Sequence, residues 1–182
     1  MNGEMLYTLD RLGTLSPGIC IDFLDTYCPF PELQDHVASR FWPQVSRHGN
    51  NYFFNFNINL SSSNEKASVF IEMLLEERRR SSYPDKPSRL RSLFACESIK
   101  AAAWFRGSSK VPLSTPIFEV NPSDRCHRAD MRLLNVNCTP PELSHRLDLY
   151  WQGETKQLHD GYEPFWEVLV PLPASIGARI QE

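Results

Sequence analysis

Phe165-Trp166-Glu167-Val168-Leu169-Val170-Pro171 reads as a strand, rich in aromatic and β-branched residues and closed by proline. Alternation puts Glu167 on one face with Phe165 and Leu169, and Trp166 and Val168 on the other. A carboxylate in so apolar a strand is costly to bury unless it is paired or used. The competing reading of Glu167 is a charge on an edge strand that discourages aggregation. Ile176-Gly177-Ala178-Arg179-Ile180, beyond a proline-rich turn, predicts a second strand.

Upstream, Pro116–Val120 and Arg91–Cys96 predict two further strands, and residues 5–12 an opening one that ends at Gly13. Glu97–Phe105 is alanine-rich and predicts a short helix. From Pro31, the spacing of Leu33, Val37 and Phe41 predicts a helix stopped by Pro43. Ser62-Ser63-Asn64-Glu65 has capping-box spacing and opens a helix over about 63–81, with Val69, Phe70, Met73 and Leu74 as its apolar stripe. Thr139-Pro140-Pro141-Glu142 repeats that spacing ahead of Leu143, Leu147 and Tyr150. Residues 51–58 read either as an edge strand or as an extended loop. Helices and strands mix without regular βαβ units and without an internal repeat, so the expected class is α+β.

A chain of 182 residues with 41% hydrophobic, 12% aromatic and 23% charged residues can bury a core, and 1–182 is expected to be a single domain. Its net charge of -3 leaves no whole-molecule attraction for nucleic acid or membranes, although a local basic patch remains open. No apolar run approaches the roughly 20 residues of a membrane span, and Met1–Leu6 lacks a signal-peptide pattern. Cys20, Cys28, Cys96, Cys126 and Cys138 form an odd, widely spaced set, expected to be reduced thiols in a cytoplasmic protein. Without Cys-x-x-Cys or His-Glu-x-x-His pairs, no metal site is expected. Cys126 and His127 are adjacent, so on a strand they point to opposite faces.

Arg78, Arg79, Arg80, Lys86, Arg89 and Arg91 crowd one short segment. Arg78–Arg80 read as a solvated helix C-terminus that suits the helix dipole. Lys86-Pro87-Ser88-Arg89-Leu90-Arg91-Ser92 runs instead straight into an apolar strand, where arginine beside serine can hold a pyrophosphate or a carboxylate through bidentate bonds.

Three segments carry a resemblance: Leu6-Tyr7-Thr8-Leu9-Asp10-Arg11, Pro87-Ser88-Arg89-Leu90-Arg91-Ser92-Leu93-Phe94-Ala95, and Trp166-Glu167-Val168-Leu169-Val170 with Leu172-Pro173. Together they resemble a poorly characterised bacterial and phage family. Their order is similar to that of the ADP-ribosyltransferase superfamily, in which a first-strand His or Arg, a second-strand Ser, Thr or Tyr and a late-strand Glu surround NAD. The resemblance implies a split β-sheet core with flanking helices, NAD as substrate, and a protein or nucleic-acid acceptor. It implies Glu167 and Ser92 as catalytic residues, with Tyr7 or Trp104 stacking on nicotinamide and Thr8, Arg11, Ser88 and Arg89 near the cofactor. Glu167 would stabilise an oxocarbenium-like transition state. Thr8 stands where His is usual, with Arg11 three residues on as a substitute, and Phe165 stands where arginine-modifying relatives carry Glu or Gln. Two alternatives stay open: an inactive binding module that meets an acidic protein or nucleic acid through Arg78–Arg91, and an NAD glycohydrolase.

Overall fold

A computed structural model describes residues 5–40, 44–54, 66–109 and 111–181. In chain order its elements are β1 (Leu6–Leu9), β2 (Cys20–Ile21), β3 (Leu24–Asp25), α1 (Pro31–Arg40), β4 (Gln44–Val45), α2 (Arg47–Phe53), α3 (Lys66–Ser82), β5 (Ser92–Ala95), α4 (Ile99–Ser108), β6 (Ile117–Pro122), β7 (His127–Asp130), α5 (Pro140–Gln152), β8 (Trp166–Pro171) and β9 (Ala174–Arg179). Short 3-10 turns at Arg89–Arg91 and Met131–Leu134 precede β5 and follow β7. The class is α+β, as expected.

The strands form a four-stranded sheet, β1-β6-β9-β2, a three-stranded sheet, β5-β8-β7, and a separate β3-β4 pair, all antiparallel. The two larger sheets meet where Tyr7 and Cys96 exchange backbone hydrogen bonds of 2.9 and 2.7 Å. Leu6, Phe118, Val120 and Ile176 of the first sheet pack there against Ala95, Val168 and Val170 of the second. On its other face the three-stranded sheet lays Leu169 and Ala129 against Ile71 and Leu75 of α3 and Leu147, Tyr150 and Trp151 of α5. β8 is therefore covered on both faces. That explains a nearly unbroken apolar run in an antiparallel strand, and it excludes the edge-strand reading of Glu167.

Helix α3 departs most from expectation. Its buried residues include Val69, Ile71, Glu72, Leu75, Glu76 and Arg79, whereas Phe70, Met73 and Leu74 lie exposed. The helix is thus rotated away from the most apolar stripe, because Glu72 and Glu76 turn inward to meet buried arginines. Arg79 is one of these, so the solvated reading of Arg78–Arg80 fails at Arg79. Its guanidinium bonds Glu76 and the backbone oxygens of Pro84 and Lys86. Arg78 reaches Ser144 and Asp148 on α5.

Other departures are local. Residues 51–53 close helix α2 rather than forming a strand or loop, and 55–58 lie outside the described residues, as do Phe41, Pro43 and the capping segment Ser62–Glu65. Thr139 makes no side-chain cap bond; Glu142 bonds the Thr139 backbone and also pairs with Arg146 one turn on, at 2.6 Å. β7 was not anticipated; it sends His127 toward Tyr150 and Trp151 while Cys126 packs against the inter-sheet core. The opening strand is shorter than 5–12 because Asp10 turns the chain, accepting from the backbone N–H groups of Thr14 and Leu15.

Gly49 lets α2 sit directly on the turn that follows Ser88. A Cβ there would lie 2.3 Å from the Leu90 carbonyl oxygen. Ser46 caps α2 by accepting from Gly49 N–H and also binds the Leu90 carbonyl, through its hydroxyl and its N–H. All five cysteines are free thiols. Among the described residues no helix is long and apolar enough to cross a membrane.

Candidate functional site

Five side chains from five places in the chain converge between the three-stranded sheet and its helices. They are His48 of α2, Glu72 of α3, Arg89 of the 3-10 turn, Tyr150 of α5 and Glu167 of β8. The turn points Arg89 inward because Ser88 caps it, its hydroxyl accepting from Leu90 N–H at 3.1 Å and donating to Glu76 at 2.8 Å. Ser92 then locks the exit, its hydroxyl donating to the Ser88 carbonyl at 2.7 Å.

Arg89 is the hub. Its Nε and Nη2 each lie 2.9 Å from a Glu72 carboxylate oxygen, and its Nη1 donates to both Tyr150 Oη and Glu167 Oε1. Tyr150 in turn donates to Glu167 Oε1 at 2.8 Å. His48 Nε2 stands 3.1 Å from Glu72 Oε1, and its ring packs on Phe94 and Tyr52 with centroids 4.6 Å away in each case. Phe94 also lies under the guanidinium, 4.7 Å from ring centroid to Cζ. The side chains of Arg89, Glu72 and Glu167 are at most 7% exposed and that of His48 19%, so His48 is the cluster's most solvent-exposed ionisable group.

The electrostatics follow from this geometry. Burial alone would raise the Glu72 carboxyl, but Arg89 and His48 together hold it well below the usual carboxylate range. Burial would likewise discharge Arg89, yet Glu167 and Glu72 keep it firmly protonated. Tyr150 is pushed up by burial first and stays a neutral donor. One arginine thus faces two carboxylates, with the His48 ring beside Glu72.

Glu167 uses only one of its oxygens here: Oε1 receives both donors, and Oε2 has no hydrogen-bond partner among the described residues. The cross-strand row through Glu167 contains Ala129 on one side and, by continuation of the β5–β8 register, Cys96 on the other. Tyr7 is the next member, bridged to Cys96. Burial, the Glu167 charge and Glu97 push the Cys96 thiol up to about 12, so it is not a thiolate nucleophile at neutral pH.

Of the residues singled out from sequence, Arg89 touches Glu167 directly, and Tyr7 stands in the same row, packing with Cys96 and Phe165. Trp104 approaches from α4, half exposed, its ring 4.9 Å from that of Phe165. Ser92 shares the face of Glu167 but sits at the far end of β5, opposite Pro171. Together with Ser88 it lines a separate cleft of about 310 Å³, where Lys86, Arg91 and Arg125 gather. Thr8 points away from Tyr7 and donates to the Phe94 carbonyl, tying β1 to β5. Arg11 lies exposed in the turn after β1. Arg89, occupied by two carboxylates and a phenol, is not open to a pyrophosphate.

His48, Glu72 and Tyr150 did not emerge from sequence as site residues. Glu72 carried one signal, since Glu72-Met73-Leu74-Leu75-Glu76 places two carboxylates one turn apart beside Ile71 and Leu75. Tyr150 read only as apolar helix face, and His48 had no signal at all. Among the described residues no group of His, Cys, Asp and Glu is arranged to hold a metal ion. A family model described as "Protein of unknown function (DUF2441)" matches residues 33–180. No curated protein matches the chain.

Proposed function

We propose that this chain, which belongs to the DUF2441 family, is an NAD-dependent ADP-ribosyltransferase for a protein or nucleic-acid acceptor, with Glu167 as its catalytic carboxylate. The observation that carries the reading is the state of Glu167: buried, held through Oε1 by Arg89 and Tyr150, with Oε2 unpartnered among the described residues. A carboxylate fixed in that way is pre-organised to face a developing cation. Breaking the bond between nicotinamide nitrogen and ribose C1 sends the electron pair out with nicotinamide and leaves an oxocarbenium-like ribose, as in glycoside cleavage. The acceptor nucleophile then bonds to C1 and releases its proton to solvent.

In this reading Arg89 and Tyr150 are positioning residues for Glu167. Tyr7, in the same row, and Trp104, on Phe165, are the aromatic surfaces for nicotinamide. Support also comes from the meeting of the two antiparallel sheets beside this row, which brings Tyr7 next to the strand that carries Glu167. Ser92 has a scaffold role here, since its hydroxyl is committed to Ser88.

The test is release of nicotinamide from labelled NAD with and without a cell lysate as the source of acceptor. Transfer of label to macromolecules is expected, and Glu167→Gln is expected to lower turnover at least about a hundredfold. Glu167→Asp, which keeps the charge but withdraws it by one methylene, controls for folding and should also be impaired. Full turnover in both folded variants, or no NAD consumption by the wild type, would refute the proposal. Consumption without labelled acceptor would assign water as nucleophile, the glycohydrolase reading. The binding-module reading is favoured by a different observation, the basic cleft around Lys86, Arg91 and Arg125. It predicts binding to an acidic macromolecule that weakens steeply with salt and is indifferent to Glu167→Gln.

A further inference from the structure

A second cleft, of about 530 Å³, lies on the side of the molecule formed by the Met131–Leu134 turn, the middle of α5 and the loop before β8. Arg132, Arg146, Asn135, His159, Tyr162 and Leu158 contribute to its walls. Two features of its arginines have no role in the fold. Arg132 is half-buried, yet among the described residues its guanidinium has no carboxylate or hydrogen-bond partner; it only faces the Trp104 ring, at 5.2 Å. Arg146 is 94% buried, bonding the Asn135 carbonyl and Glu142 through its terminal nitrogens, while its Nε is left without a partner. Buried arginine nitrogens are normally satisfied, and one that is not marks a missing acceptor.

Asp130, two residues before Arg132, forms no ion pair with either guanidinium among the described residues. Asp130 is fully buried, and its oxygens accept from Arg132 N–H, Phe165 N–H, Thr155 Oγ1 and Tyr162 Oη. Tyr162, pushed up to about 12 by burial and by Asp130, stays neutral and keeps its proton on that bond. Glu142, at the exposed start of α5, neutralises one end of Arg146 only. The cleft thus presents one guanidinium with no ion-pair partner among the described residues and a second, buried one, with the side-chain amides of Asn135 and Asn137 and apolar surface from Leu134 and Leu158.

We infer that this cleft binds the phosphate group of a phosphate monoester, with Arg132 and Arg146 as its cationic ligands. Planar guanidinium groups match phosphate oxygens through paired hydrogen bonds, and an oxyanion here would neutralise Arg132 and supply acceptors to a wall that has donors in excess. The site is separate from Glu167 and does not depend on the transferase reading.

Calorimetric titration of the wild type with inorganic phosphate and with AMP tests it. One-to-one binding of either probe is expected. Equal affinities would assign the phosphate alone, and tighter AMP binding an organic phosphate whose remainder packs on the apolar wall. Arg132→Gln is expected to weaken binding at least about tenfold, Arg132→Lys by less, and Glu167→Gln to leave it unchanged. Thermal denaturation of each variant shows that it is folded, and Arg132→Lys keeps the test alive if Arg132→Gln is not. Absence of binding by both probes at about 10 mM, or affinity unchanged in folded Arg132→Gln, would overturn the inference.

Discussion

Replacing Arg89 with alanine should strand two carboxylates in the protein interior. Glu72 and Glu167 have side chains only 5% and 6% exposed, and Arg89 supplies the charge that lets both remain ionised there. Removing one partner of a buried ion pair costs about 3–5 kcal/mol, because the charge left behind has lost its compensation but not its desolvation. Tyr150 still donates to Glu167 and His48 still faces Glu72, so the full cost of two isolated charges is not reached. We expect a loss of about 3–5 kcal/mol at pH 7, or a fall in Tm of about 6–20 °C for a domain of this size. The pH dependence carries the diagnosis. In the wild type Glu72 is held below its ordinary value of 4.5, so the stability it contributes is present above that pH and is lost as the solution is acidified through the range beneath it. Without Arg89, burial raises the Glu72 carboxyl instead, and protonation relieves the strain. The deficit of Arg89→Ala relative to wild type should therefore shrink between pH 7 and 4. Urea denaturation of the two proteins across that range measures it. A deficit under about 1 kcal/mol at pH 7, or one that stays constant down to pH 4, would refute the account of Arg89 as the counter-charge of both carboxylates.

Two further outcomes test the surroundings of the cluster. His127 donates through Nε2 to the Tyr150 carbonyl at 3.0 Å, and burial lowers its pKa from 6.5 to about 4. The unfolded chain then binds a proton more readily than the folded one, and stability should fall as the pH drops from about 6.5 toward 4, by roughly 2–3 kcal/mol in all. His127→Gln should flatten that part of the pH profile, and an unaltered slope in urea melts would contradict it. Gly49→Ala would set a Cβ 2.3 Å from the Leu90 carbonyl oxygen and force α2 off the turn that aims Arg89. A loss of about 1–3 kcal/mol is expected in chemical denaturation, and the proposed NAD-consuming activity should fall with it. Wild-type stability would show that the α2 contact bears no strain.

Local patterns in the chain were enough for the elements whose neighbours agree with them. The apolar run Trp166–Pro171 became the central strand β8, and its alternation put Glu167 with Leu169 as read. Ile99–Ser108 formed a helix over the alanine-rich segment, starting two residues later than read because Ser98 caps it, and Pro140–Gln152 formed one behind its prolines although Thr139 makes no side-chain cap bond. The α+β class followed from the irregular mixture of such segments. Helix α3 shows where that information stopped. Periodicity reveals that a helix is amphipathic, but which stripe is buried depends on what lies opposite. Here Arg89 and Ser88 lie opposite, so Glu72 and Glu76 turn inward while Phe70, Met73 and Leu74 stay out. The same limit holds for the site. Glu167 was visible because a carboxylate contradicts its apolar strand. His48, Glu72 and Tyr150, by contrast, become site residues only through contacts spanning up to 78 positions from Arg89 to Glu167. The role of Arg89 was decided in the same way. The chain shows a cation at the start of a strand, and only the packing of α2, α3, α5 and β8 around it makes that cation the partner of two buried carboxylates.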